Sequence, residues 1–102
     1  MITTATIATL KNNDGLTLKA GEPITYRTGW QVATEDVEAR TVQEVMDAVT
    51  AYGGTCGIWL ADGIYYVDKS RRVNTKREAL HIGRAHRQIS IFGWAKKNLA
   101  YC

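Results

Sequence analysis

Three features of the sequence predict an α+β fold, an antiparallel β-sheet with two helices packed on one face. Apolar residues alternate with period two near both ends of the chain. Two stretches with helical spacing each open on a capping box, and no strand-helix-strand unit carries a glycine-rich phosphate loop. With 102 residues and domains usually holding about 50 to 200, the chain is expected to form a single α+β domain over 1–102. A composition of 45% hydrophobic and 23% charged residues with one proline belongs to a folded chain and excludes disorder as the main state.

Thr alternates with aliphatic residues from Ile2 to Leu10, and Asn12-Asn13-Asp14-Gly15 then precedes Leu16-Thr17-Leu18, a pattern that reads as a β-hairpin. After Gly21-Glu22-Pro23, the segments Ile24–Arg27 and Trp30–Thr34 are expected to form one bent strand or two short ones around Gly29. Thr41-Val42-Gln43-Glu44 opens a helix with Val42, Val45, Met46 and Val49 on one stripe. Gly53-Gly54 ends it, so the helix is placed at about Thr41 to Tyr52.

Ile58–Val67 reads as a hairpin around the two-residue loop Asp62-Gly63, which suits a type I′ turn and fixes the register. Ile58, Leu60, Tyr65 and Val67 then share one face of the sheet, and Trp59 and Tyr66 share the other. Thr75-Lys76-Arg77-Glu78 opens the second helix, reaching His86 or Arg87. At 100° per residue Ala79, Ile82 and His86 take the packed side, and Lys76, Arg77, Arg84 and Arg87 a basic flank. Gln88–Trp94 alternates as a strand, Ala95–Asn98 turns, and Leu99–Cys102 supplies a short last strand.

Charge is unevenly distributed. Met1 to Ala51 carries four basic and seven acidic residues, a net of −3, and the remainder carries nine basic and three acidic, a net of +6. Between positions 69 and 97 the nine cations stand against Glu78 alone. Guanidinium groups bind phosphate oxygens in pairs and stay charged near neutral pH, so phosphate is the natural partner, although a basic helix face also serves solubility alone. Trp59, Tyr65, Tyr66, Phe92 and Trp94 adjoin this segment. Rings beside arginines can hold a nucleobase next to its phosphate, and they can equally fill sheet faces.

Catalytic and metal signatures are weak. Cys56 and Cys102 form neither a CxxC pair nor a zinc-finger set with His81 and His86, and no cofactor is called for. The two histidines stand five apart on one helix and point about 140° away from each other. Most carboxylates lie in the other half of the chain from the cations, which speaks against hydrolysis by an acid-base pair and for a non-enzymatic role. The start Met1-Ile2-Thr3-Thr4 has no basic segment leading into an apolar run, and no stretch reaches the about 18 to 20 apolar residues of a membrane span. A cytoplasmic location with no membrane partner is expected.

Gly63–Ser70, Thr75–Arg84 and Gln88–Trp94 together make a hairpin running into an Asp-x-Ser loop, a capped helix, a Gln, a short strand and a Trp. This order resembles the C-terminal half of small phage-encoded proteins, the Thoeris anti-defence family that sequesters cyclic ADP-ribose signals. The resemblance implies a non-catalytic sponge for a small cyclic nucleotide in the cytoplasm of an infected bacterium. It further implies several copies of the chain, with a ring and arginines clamping base and phosphates. Arg84 and Arg87 are the candidates for the phosphates, and Trp59, Tyr66 or Phe92 for the stacking ring. A protein-binding inhibitor of the anti-CRISPR type and a small nucleic-acid-binding module are the alternative readings, the second disfavoured by a net charge of only +3. Homo-oligomerisation is also expected because both faces of the Ile58–Val67 hairpin are apolar or aromatic.

Overall fold

The structure is a computed structural model that describes residues 4–102. The described residues have the α+β class expected, with a seven-stranded antiparallel sheet and three helices. In chain order the elements are α1 (Thr4–Ala8), β1 (Gly15–Lys19), β2 (Glu22–Pro23), β3 (Trp30–Ala39), α2 (Val42–Tyr52), β4 (Thr55–Ala61), β5 (Ile64–Val73), α3 (Lys76–Ala85), β6 (Ser90–Gly93) and β7 (Asn98–Tyr101). The strand order is β2-β1-β4-β5-β3-β6-β7. Among the described residues no helix is long and apolar enough to cross a membrane. The chain divides into two compact units, one formed by residues up to Ile24 with Asp36–Lys69 and the other by Thr25–Glu35 with Ser70–Cys102. β3 and β5 each contribute residues to both.

In the first unit the alternation of β1, β4 and β5 sends Leu16, Leu18, Cys56, Ile58, Tyr65 and Val67 to one side. There they meet Val45 and Val49 of α2 and Ile7 of α1. Leu18 lies opposite Cys56 and Leu16 opposite Ile58. The helix begins as its sequence requires: the Thr41 hydroxyl accepts from the Glu44 N–H at 3.1 Å and donates to its carboxylate at 3.2 Å, satisfying one of the open N–H groups of the first turn. At the other end the Gly53 N–H closes on the Val49 carbonyl at 3.0 Å. The β4–β5 loop has φ of 51° at Asp62 and 80° at Gly63, the pair of positive values a type I′ turn demands. The predicted division of the hairpin holds for Ile58, Tyr65 and Val67, which pack with the core, and for Trp59 and Tyr66, whose rings lie together.

Two expectations fail in this unit and its neighbour. The strand expected over Ile2–Leu10 is a helix from Thr4 to Ala8, with Ile2 and Thr3 outside the described residues. The Thr9 N–H reaches the Ala5 carbonyl at 3.1 Å and the Leu10 N–H reaches that of Ile7 at 3.1 Å. The position beside β1 that this strand would have taken belongs to β4, and as a helix the segment points both Ile7 and Leu10 at the core. Tertiary pairing overrides local β-propensity here. The strand expected over Ile24–Arg27 is also not formed. β2 stops at Pro23, and after the Ile24 N–H donates to the Thr17 carbonyl at 2.9 Å the chain leaves the ladder.

Cys56 is fully buried, and its thiol donates to the Gly53 carbonyl at 3.4 Å. Burial first, and then the Asp68 carboxylate, push this thiol from 9.0 up to about 11, with Lys69 opposing. Below pH 9 the thiol is protonated in both folded and unfolded chains, so it costs nothing. Between pH 9 and 11 the unfolded chain sheds the proton and the folded one keeps it, which removes about 2 to 3 kcal/mol of stability. Urea unfolding at pH 8 and pH 10.5 should show this loss in the native protein beyond any shown by Cys56→Ala. Equal losses in the two would contradict it.

In the second unit Val32, Val73, Ala79 and Ile91 form the core under α3, joined by Trp30, Leu80, Ile82, Ala100 and Cys102. Thr75 caps α3 through the Glu78 N–H at 3.1 Å. The opposite side of this sheet is polar and aromatic. Trp94 donates its indole N–H to Gln31 at 3.1 Å, and the Gln31 amide donates to the Ser70 hydroxyl at 2.9 Å, so the buried groups are paired. Tyr26 and Phe92 meet the Trp94 ring edge-on at 5.6 and 5.0 Å between centroids. Arg72 lies 5.5 Å over Tyr26 while donating to the Thr28 carbonyl, the Thr28 hydroxyl and Asn74. His86 was expected on the packed side of the helix but is exposed. The helix ends at Ala85, and with φ −100° and ψ 11° His86 no longer follows the 100° step.

Candidate functional site

The division into units sharpens the charge asymmetry of the sequence. The unit containing α2 holds four basic and eight acidic residues, a net of −4. The unit containing α3 holds nine basic residues against Glu35 and Glu78, a net of +7. Arg27 joins the basic unit because Thr25–Glu35 belongs there, and Asp62 and Asp68 fall to the acidic one. A field of this sign attracts anions to the second unit.

That unit also has a cavity of about 250 Å³, lined by Gly29, Trp30, Lys76, Gly93, Ala95, Lys96 and Asn98. It is built from the sheet register. Trp30 stands opposite Gly93, and a Cβ on Gly93 would come 2.9 Å from the indole Cη2 and Cζ3 and 3.0 Å from the Asn98 Oδ1. Only the missing side chain leaves room for the ring there. The first turn of α3 brings Lys76 Nζ to 5.7 Å from the Trp30 centroid, a cation–π distance. Lys96, in the β6–β7 turn, adds a second ammonium group. No carboxylate, imidazole, thiol or hydroxyl is among the lining side chains. A π face, two cations and one carboxamide can hold a planar group joined to an anion.

The residues singled out in the sequence are distributed as follows. Trp59 and Tyr66 belong to the acidic unit, with ring centroids 5.7 Å apart at 34°, and Trp59 is 50% exposed. Arg84, Arg87 and Phe92 belong to the basic unit. Arg84 is exposed on α3, its Nε 3.5 Å from the Cys102 carbonyl. Arg87 follows the helix at φ 57°; its N–H donates to the Arg84 carbonyl, and the Gln88 N–H donates to that of Gly83. This is a Schellman ending with arginine in the left-handed position that glycine usually takes. Phe92 lies on the side of the sheet away from α3, edge-on to Trp94. The structure therefore brings Trp59 to Tyr66 and Arg84 near Arg87, but it does not place Phe92 with the two arginines.

Sequence reasoning counted Lys76 and Lys96 among the cations but did not join them to Trp30. The available signal was a Gly-Trp pair at two places, Gly29-Trp30 where β3 begins and Gly93-Trp94 where β6 ends. No family model matches the chain, and no curated protein or solved structure matches it.

Proposed function

We propose that the chain is a binding protein that captures a small cyclic nucleotide signal and sequesters it without cleavage, in the cytoplasm of an infected bacterium. The base lies on Trp30 and a phosphate between Lys76 and Lys96. The observation that carries this reading is the cavity in which an indole and two ammonium groups line the same space within the net +7 unit. Stacking accepts any base, and the cations supply the affinity for phosphate. Assembly of several copies belongs to the same reading. It is supported by the opposite charges of the two units and by the half-exposed ring of Trp59.

The test is incubation with cyclic ADP-ribose isomers and cyclic di- and trinucleotides, removal of free ligand, denaturation and mass spectrometry. Recovery of one intact ligand is expected. Recovery of cleavage products would make the protein an enzyme, and failure to retain any ligand would end the proposal. Light scattering should give a mass above 11.3 kDa that falls toward the monomer as salt screens the two charges.

A further inference from the structure

We infer that the free edge of β7 accepts an extended acidic peptide from a partner protein as an added strand. This inference is independent of the nucleotide reading. Among the described residues β7 ends the sheet and pairs only with β6, with Ser90 opposite Tyr101, Ile91 opposite Ala100, Phe92 opposite Leu99 and Gly93 opposite Asn98. The Cys102 N–H donates to the Ile89 carbonyl at 2.9 Å. Antiparallel residues alternate between directing their backbone groups at the neighbour and away from it. Asn98 and Ala100 thus face β6, and Leu99 and Tyr101 direct both N–H and C=O outward. Edge strands are normally blunted by lysine, proline or a bulge. Asn98–Tyr101 contains none of these.

The two sides of this edge differ chemically. On the Phe92 side, Leu99 and Tyr101 are 56% and 75% exposed. On the other side α3 follows β7 from start to end. Lys76 and Asn98 line one cavity, Arg84 Nε lies 3.5 Å from the Cys102 carbonyl, and a Cβ on Gly83 would meet Cys102 Sγ. Arg77, His81 and Arg84 are all exposed and fall within about 60° of one another around the helix. An incoming strand would place alternate side chains beside Leu99 and Tyr101 and the others on the α3 side, toward Arg84. Its matching sequence alternates aliphatic and acidic residues. Backbone pairing supplies the affinity of such strand addition, and the alternate side chains supply its selectivity.

A synthetic peptide of three Val-Glu repeats and its Val-Lys counterpart test this by fluorescence anisotropy and amide hydrogen exchange. The acidic peptide should bind about ten-fold tighter than the basic one and slow exchange at Leu99 and Tyr101. Tyr101→Pro removes one outward donor where proline is tolerated and should weaken binding about five-fold. Arg84→Glu should abolish the preference for acid, and Lys19→Gln, exposed in the other unit, should leave peptide binding unchanged. Should Tyr101→Pro fail to fold, N-methylation of the peptide at the residues opposite Leu99 and Tyr101 removes the same bonds on the unaltered protein and should weaken binding equally. Equal binding of both peptides, binding of neither, or no protection at Leu99 and Tyr101 would each overturn the inference. So would a dimer in which the Leu99 and Tyr101 amides are already protected in the absence of peptide, because a second copy of the chain would then occupy this edge.

Discussion

Ile7→Ala should lower the unfolding free energy by about 3 kcal/mol, a large share of the roughly 5 to 15 kcal/mol that holds an ordinary domain together. α1 has five residues, too few to pay the cost of helix nucleation by itself. What keeps it helical is the fully buried Ile7 side chain in a core with Val45, Val49, Cys56, Ile58 and Val67. Shortening that side chain removes transfer energy, leaves a cavity and releases the helix, so the three losses act together. Ala8→Ser on the exposed side of the same helix should stay within about 0.5 kcal/mol. Urea unfolding of both variants measures the difference. A loss below about 1 kcal/mol for Ile7→Ala would show that α1 does not close this core.

The same segment shows what sequence reading can and cannot reach. Both α2 and α3 were legible because each begins with a threonine whose hydroxyl meets an N–H three residues on, an interaction complete within one turn. The β4–β5 hairpin was legible because Asp62-Gly63 fixes a register over neighbouring residues. Residues 4–10 were misread because their fate depends on which strand pairs with β1, and β4 arrives there from about forty positions downstream. The same cause hid the cavity. Trp30, Gly93 and Asn98 become neighbours only through the β3–β6 and β6–β7 registers, which no local pattern specifies. The charge asymmetry was partly visible as −3 against +6 between halves of the sequence. Its full value needed the knowledge that Thr25–Glu35 folds with the C-terminal segment. For the site, helical spacing placed Arg84 on an exposed flank correctly. It could not show that Phe92 would face Trp94 rather than the helix, because that depends on which side of β6 the helix covers.

Trp30→Ala should weaken binding of the proposed cyclic nucleotide by about 10- to 100-fold, since stacking of one base on an aromatic ring contributes roughly 1 to 3 kcal/mol. Trp30 is half-buried against the core of its unit, so this variant also loses packing, and melting must be followed beside binding. Two further changes separate the causes. Trp30→Phe keeps a π face and should recover part of the affinity. Gly93→Ala leaves the indole in the chain but puts a Cβ 2.9 Å from two of its carbons, closer than real contacts allow, so the ring must move and binding should fall with Trp30 still present. The cations make a different prediction. Lys76→Gln with Lys96→Gln removes two charges from the cavity rim and leaves the ring, so the affinity should drop most at low salt and its dependence on salt should flatten. A ligand stacked on Trp30 and held by these lysines must respond to both kinds of change, through the ring independently of salt and through the lysines in proportion to screening. Isothermal titration at two salt concentrations distinguishes them, and a Trp30→Ala protein that folds and binds as tightly as the native chain would place the ligand elsewhere.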